Sequence, residues 1–221
     1  MKLKEEYYII DSNNFAALKD RDKYIEFTTF RQAEEFGKDN YEEWGKCYKT
    51  IMHLAGNYTS GSCCSIPIEA YCGNQYEKIN SYLRNDSDNE CNTYREISDI
   101  LSIILCSAPR IPDNIVLYRA VCDEFIEKLI EENNDIGQIQ EKGFMSTSMT
   151  LDIASNTRFK DNINVLKLYV PKGTIGCYVN VICKRSEEEM LLVPKLFLEM
   201  IAKPYYNKEY NKMIFECKVY D

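Results

Sequence analysis

Apolar positions change their period part-way along the chain. Up to about residue 107 they recur at three- and four-residue steps. Ile97, Ile100, Leu101, Ile104 and Leu105 make one stripe over 94–106, and Tyr76, Ile79 and Leu83 make another over 76–84, so both spans are predicted as helices with one buried face. Pro109 and Pro112 then interrupt the pattern, and 114–121 is a short run of β-branched and aromatic residues, the composition of a strand. Beyond it the pattern predicts a helix over 123–132, a strand leading into 146–148, a short helix after Thr150, and strands over 164–170, 174–181, 187–193 and 212–220. Pro171 and Gly173 stop the 164–170 strand. In the last strand Met213, Phe215, Cys217 and Val219 alternate with Lys212, Glu216 and Lys218, the two-residue period of a half-buried strand. Helices first and strands afterwards argue for an α+β fold. The expected organisation is a helical N-terminal extension of unassigned role, 1–70, running without a break into a unit at 71–221 that carries a mixed β core. No internal repeat is visible, and the polar stretches 85–92 and 133–137 are the linker candidates.

Composition narrows the chemistry. With 221 residues, 45% of them hydrophobic, the chain can bury one core. The balance of 27 Lys+Arg against 35 Asp+Glu gives a net charge of -8, which opposes a nucleic-acid partner, because such binding rests on neutralising phosphates with positive charge. A small dianionic ligand stays compatible. The opening MKLKEEYYII lacks the apolar stretch of a secretory signal, and no later run approaches the ~18 apolar residues that span a membrane, so a cytoplasmic protein outside membranes is expected. Ten cysteines at irregular spacing then read as free thiols of a reducing compartment rather than a disulfide framework. No metal is expected: C-x-x-C is absent, and Cys63, Cys64 and Cys72 have only the distant His53 to complete a set. His53 is the single histidine, which removes most Ser-His-Asp and Cys-His arrangements. Neither G-x-G nor G-x-x-x-x-G-K-[ST] occurs, so a nucleotide would bind by a scheme other than the Rossmann or P-loop one.

Three short segments carry candidate chemistry. Val116-Leu117-Tyr118-Arg119-Ala120 puts a guanidinium inside an apolar strand, where it needs an anionic partner; taken alone, that partner could be a local carboxylate at a strand edge. Gly143-Phe144-Met145-Ser146-Thr147-Ser148 ends a strand in three hydroxyls, which can bond both a sugar and a carboxylate, or simply cap a following helix. Glu187-Glu188-Glu189-Met190-Leu191-Leu192-Val193-Pro194 runs an acidic triplet into an apolar strand. Glu187 and Glu189 share one face there and Glu188 points away. Two carboxylates so close favour a site that handles positive charge, although an acidic run by itself is usually a solvated loop.

In this order and at these separations the three segments resemble the Arg-Ser-Glu class of mono-ADP-ribosyltransferases, the group that includes the clostridial binary-toxin enzymes. Tyr76-x-x-Ile79-Asn80-x-x-Leu83-Arg84 looks like that family's Y-x-x-I-N-x-x-L-R helix, and Pro112-x-Asn114-x-x-Leu117-Tyr118-Arg119 is similar to its P-x-N-x-x-V-Y-R strand. Phe144-x-Ser146-Thr147-Ser148 matches F-x-S-T-S, Val170-Pro171-Lys172-Gly173 matches V-P-K-G, and Glu187-x-Glu189-x-Leu191-Leu192-x-Pro194 matches E-x-E-x-L-L-x-P. The likeness covers roughly 76–219, and the first 70 residues match none of these motifs.

The resemblance implies two packed sheets around a cleft for NAD, which is split at the nicotinamide bond so that ADP-ribose passes to a protein acceptor. Arg119 would bind an NAD phosphate. Ser146 would hold Glu189, and Glu189 would bond the 2'-hydroxyl of the nicotinamide ribose and stabilise its oxocarbenium. Glu187 would orient or deprotonate the acceptor, a Glu there going with arginine as target. Tyr76, Thr147, Ser148, Arg158 and Phe159 complete the expected NAD contacts, Phe159 as the aromatic over the nicotinamide. Ala120 stands where many members carry Arg or Gly, so a second phosphate contact would have to come from Arg84 or Arg158. The stretch Cys183-Lys184-Arg185-Ser186 lacks the projecting aromatic that often recognises the target. The same residues would also serve an NAD glycohydrolase, or remain as a noncatalytic binding module; transfer to a nucleic-acid base is opposed by the acidic balance.

Overall fold

The computed structural model describes residues 10–58, 66–85, 92–155 and 163–220. The helical half comes first. Helix α1 (Phe30–Tyr58) buries Ala33, Gly37, Tyr41, Gly45 and Tyr48, one face at near-four-residue steps, and carries the pairs Arg31–Glu35, Lys38–Glu34 and Lys46–Glu42 on its outer face. Gly37 and Gly45 set how closely α1 can lie on the sheet. A Cβ on Gly37 would stand 2.4 Å from the Tyr178 ring, and one on Gly45 2.7 Å from Val181. A one-turn helix, α2 (Pro67–Ala70), leads through a π-helical turn, Tyr71–Gln75, into α3 (Tyr76–Asn85). The bend falls at Gly73, whose backbone leaves the helical region, so Tyr71 and Tyr76 meet edge to face on the same side. Helix α4 (Asn92–Ser107) packs Ile97, Leu101, Ile104 and Leu105 into the core.

Strands follow. They are β1 (Ile115–Val121), β2 (Ile139–Glu141), β3 (Met145–Ser148), β4 (Asn164–Val170), β5 (Gly176–Tyr178), β6 (Glu189–Leu192), β7 (Leu196–Met200), β8 (Tyr205–Asn207) and β9 (Lys212–Tyr220). Helix α5 (Asp123–Ile136) intervenes after β1, with Asp123 and Glu124 in its first turn and Gly137 at φ 83° closing its end through bonds to Asn133 and Glu132. The ladder runs β2-β7-β9-β4-β1-β3-β6-β5, with β8 on β9; β4 and β9 are parallel and the remaining pairs antiparallel.

The path narrows at one place. β1 and β4 share seven register pairs, but β1 and β3 share only Tyr118↔Ser148. The two sheets expected around a cleft are thus the two arms of one hydrogen-bonded path, parted beyond that single pair. Strand alternation then decides what faces what. Ile115, Leu117 and Val121 join the main core with α1, α3 and α4, while Val116 and Tyr118 join a second cluster with Val165, Tyr169 and Ile214 under Tyr24 and Tyr210. Arg119 has the parity of the main-core face, at the end where the core opens.

Candidate active site

The parting of the arms makes a cleft of about 180 Å³, lined by Arg119 and Ala120 of β1, Ser146 of β3, Ile153, the alternate residues Arg185, Glu187 and Glu189, and Tyr71, Cys72, Tyr76 and Asn80 from the helical wall. Ser146 lies opposite Leu191 in the β3–β6 register, which makes it the diagonal neighbour of Glu189 on the same face. Its Oγ donates to Glu189 Oε1 at 2.5 Å. Arg185 Nε donates to the other oxygen, Oε2, at 2.7 Å, and its Nη1 to the Cys72 carbonyl at 2.5 Å. Glu189, only 1% exposed, is therefore bonded on both oxygens. Glu187 is buried and also lines the cleft, whereas Glu188 is turned to the far side and accepts from Tyr178 Oη and from Asn180 Nδ2. Burial pushes the Glu188 carboxyl up, and the nearby Glu34 adds to this.

Arg119 is held from behind. Its Nη2 is 3.9 Å from Glu141 Oε2, and Glu141 in turn takes both prongs of Arg84, at 2.9 Å and 3.0 Å, and the Gly143 N–H at 2.8 Å. Burial alone would push Glu141 up, but the Arg119 and Arg84 charges and these bonds outweigh it and hold the carboxyl below the usual range. Arg84 is thus committed to Glu141 rather than presented to the cleft. Arg119 Nη1 is buried and has no hydrogen-bond partner, an orphaned donor in the wall of a cleft. An anionic group of a ligand would satisfy it.

The helical wall is tied to β3 by Asn80, which accepts from Phe144 N–H at 2.9 Å and donates to the Phe144 carbonyl at 3.2 Å and to Tyr71 Oη at 3.0 Å. A Cβ on Gly143 would stand 2.9 Å from Asn80 Oδ1, so that tie is close.

Two expected contacts are not brought to the cleft. Thr147 has the opposite strand parity from Ser146: it is buried, and its hydroxyl donates to the Met190 carbonyl at 2.6 Å. Ser148 keeps the parity of Ser146, but the turn after β3 buries it, and its hydroxyl donates to the Thr150 carbonyl at 2.9 Å. Arg158 and Phe159 lie outside the described residues. In the other direction, Arg185, Glu141, Asn80 and Tyr71 take places in the site that residue type alone did not assign them. The four-residue step from Arg185 to Glu189 was the only local signal for the first.

The sequence profile of the ADP-ribosyltransferase exoenzymes matches residues 33–219. The chain belongs to that family. No curated protein sequence matches it. Among solved structures, the ADP-ribosylating toxin BECa of Clostridium perfringens, determined with NADH, is 21% identical with a TM-score of 0.68 over 90% of this chain and 50% of its own. C3stau2 of Staphylococcus aureus, determined with NAD, is 17% identical with a TM-score of 0.66 over 90% of this chain and 99% of its own. Plx2a of Paenibacillus larvae is 21% identical with a TM-score of 0.63 over 86% of this chain and 96% of its own. The chain therefore spans about half the length of BECa and nearly the whole of C3stau2 and Plx2a. Among the described residues no group of three His, Cys, Asp or Glu is placed to hold a metal ion, and no helix is long and apolar enough to cross a membrane.

Proposed function

We propose that the chain is a mono-ADP-ribosyltransferase that cleaves NAD at its nicotinamide bond and passes ADP-ribose to an arginine of a protein acceptor. The observation that carries the reading is one cleft holding Glu189 bonded to Ser146, Glu187 on the same side, and the orphaned nitrogen of Arg119. Family membership and the dinucleotides held by BECa and C3stau2 support NAD as the substrate.

In this reading Arg119 Nη1 takes a phosphate of the dinucleotide, with Glu141 bracing the same guanidinium. Tyr76 lines the helical side. Glu189 accepts a bond from the ribose 2'-hydroxyl and stands against the positive charge that develops as nicotinamide leaves, and Ser146 keeps that carboxylate aimed. The acceptor's guanidinium nitrogen forms the new bond to the ribose C1', the C1'–nicotinamide bond breaks with its electron pair going to the departing ring, and the surplus proton passes to Glu187. Glycosyl transfer by charge stabilisation needs neither a metal nor a histidine. Arg158 and Phe159 keep their proposed places at a phosphate and over the nicotinamide on the motif alone, while Thr147 and Ser148 act through the ladder and the turn. Residues 1–70 and 71–221 work as one unit, since Tyr41 and Tyr48 of α1 share a core with Tyr178. The free cysteines of the described residues, Cys47 and Cys217 among them, favour a reducing cytoplasm.

The test is to incubate the chain with labelled NAD and a cell lysate and to locate the label by mass spectrometry. Label on arginine is expected. Nicotinamide release with no labelled protein would make the chain a hydrolase, and absence of both would remove the enzyme reading.

A further inference from the structure

The backbone that carries Glu187 and Glu189 is held where its ladder gives out. β5 and β6 pair antiparallel as far as Tyr178↔Met190, and the chain then turns away from β6 into the short helical turn Val179–Val181. The side-chain amide of Asn180 takes the place of the lost strand. Its Oδ1 accepts from the Glu189 N–H at 3.3 Å, and its Nδ2 donates to the Glu187 carbonyl at 2.8 Å. One side chain thus supplies the next rung, for two backbone groups that would otherwise lack a partner on that flank. On the other flank Ser148 of β3 pairs with Glu189, and the Met149 N–H donates to the Glu188 carbonyl at 2.8 Å. The alternation of the strand is so carried past its end: Glu187 and Glu189 line the cleft and Glu188 does not.

Glu188 is anchored in turn. Tyr178 Oη donates to its Oε2, and Asn180 Nδ2 reaches the same oxygen at 3.4 Å. Tyr178 itself is seated on α1, where a Cβ on Gly37 would meet its ring at 2.4 Å. Tyr178, Asn180 and Glu188 line a groove of about 420 Å³ between α1 and the 178–188 segment, and none of them lines the cleft.

We infer that Tyr178, Asn180 and Glu188 form a clamp behind the cleft that positions its two carboxylates: Asn180 fixes the backbone of 187–189, and Glu188, held by Tyr178, fixes which way its neighbours turn. They are positioning residues, because they act through Glu187 and Glu189 and not on the reacting atoms. The inference rests on the reading above, in which those two carboxylates do the chemistry. A reacting group displaced by about 1 Å can lose on the order of 100-fold in rate, so a clamp of this kind has a measurable effect.

The test uses the whole chain with NAD, and with agmatine as an acceptor carrying a single guanidinium. Nicotinamide release and ADP-ribosyl-agmatine formation are measured at saturating NAD for the unaltered chain, Asn180→Ala, Glu188→Ala and Glu188→Gln, each shown by urea unfolding to be fully folded under the assay conditions. Asn180→Ala and Glu188→Ala are expected to lower kcat for both products by roughly 10- to 100-fold. Glu188→Gln should stay within about threefold, because both bonds end on one oxygen and an amide oxygen can take them. A loss in Glu188→Gln as deep as in Glu188→Ala would make the charge of Glu188 the cause and overturn the clamp, as would an unchanged kcat in Asn180→Ala. Hydrogen exchange at the Glu189 amide, read without NAD, should be about tenfold faster or more in Asn180→Ala, and unchanged exchange there also overturns the clamp. Failure of the functional reading looks different: the unaltered chain would release no nicotinamide, while the exchange rates would still decide whether Asn180 holds the segment.

Discussion

Ser146 on β3 and Glu189 on β6 are diagonal neighbours across one ladder, and the 2.5 Å bond from hydroxyl to carboxylate sets which way the carboxylate looks. The neighbouring hydroxyl, Thr147, donates to a backbone carbonyl instead. The two residues should therefore differ in rate, although both contribute to stability. Ser146→Ala removes a bond to a charged group, worth about 1.5–3 kcal/mol, and should lower both the stability and, by roughly 10- to 100-fold, kcat/KM for NAD cleavage. Thr147→Val should cost about 1 kcal/mol of stability and leave the rate within about threefold. Equal losses of rate in both would mean that the parity of β3 does not select the site. Urea unfolding and nicotinamide release on the same samples decide it.

That parity was only half legible in sequence. The F-x-S-T-S motif supplies three hydroxyls, and residue type does not tell which are spent on the ladder and the turn. Strands β4 and β9 were readable to the residue, because Pro171 and Gly173 bound one and an alternation broken only at Ile214 marks the other, although β9 is buried along most of both faces and not half-buried. Helix α1 was faint for a physical reason. Its buried face is Ala33, Gly37, Tyr41, Gly45 and Tyr48, small residues and tyrosines that let it lie close to Tyr178 and Val181 but make a weak hydrophobic stripe. β2 is too short to show a period, and β7 begins just after Lys195 takes a left-handed φ of 69°, a bend no local composition announces. Glu141 was invisible because its meaning lies in Arg84, 57 residues away, and in Arg119.

Arg119 gives the next prediction. One of its terminal nitrogens faces Glu141 and the other has no partner, so the fork is already oriented before a phosphate arrives. Arg119→Lys keeps the charge but not two divergent donors, and should weaken NAD binding about tenfold or more by calorimetry. An unchanged affinity would make Arg119 structural.

Glu141 ties stability to pH. Its folded carboxyl lies below the ordinary value of 4.5, despite the upward push of burial, because the Arg119 and Arg84 charges prevail. A depressed carboxyl contributes stability that is fully present above about pH 4.5 and is lost as pH falls through the folded value. Glu141→Gln leaves two guanidinium groups without their counter-charge, so it should cost about 3 kcal/mol at pH 7. The gap between the two proteins should hold down to about pH 4.5 and narrow below it. A gap that is the same at pH 3 and pH 7 in urea unfolding would show that the carboxylate's charge is not what braces the arginines.

Glu189 and Glu187 line one cleft two residues apart, and the proposed reaction gives them different work. Glu189→Gln keeps the shape and most of the hydrogen bonding with Ser146 but removes the negative charge that faces the ribose. By analogy with other preorganised electrostatic groups, it should cost on the order of 100-fold or more in nicotinamide release and in transfer alike. Glu187→Gln leaves that charge in place and removes the base that takes the acceptor's proton. Transfer to arginine should collapse while nicotinamide release continues at a measurable rate, because water can still trap the ribose. Parallel measurement of nicotinamide and ADP-ribosyl-arginine for both variants is decisive, provided the Arg185 pair is considered with it. That guanidinium loses its charged partner in Glu189→Gln, so a fall in melting temperature would belong to Arg185 and not to the chemistry. If Glu187→Gln loses nicotinamide release as fully as Glu189→Gln, the division of labour is wrong; if neither variant changes either rate, the two buried carboxylates are structural and the cleft takes its chemistry from elsewhere.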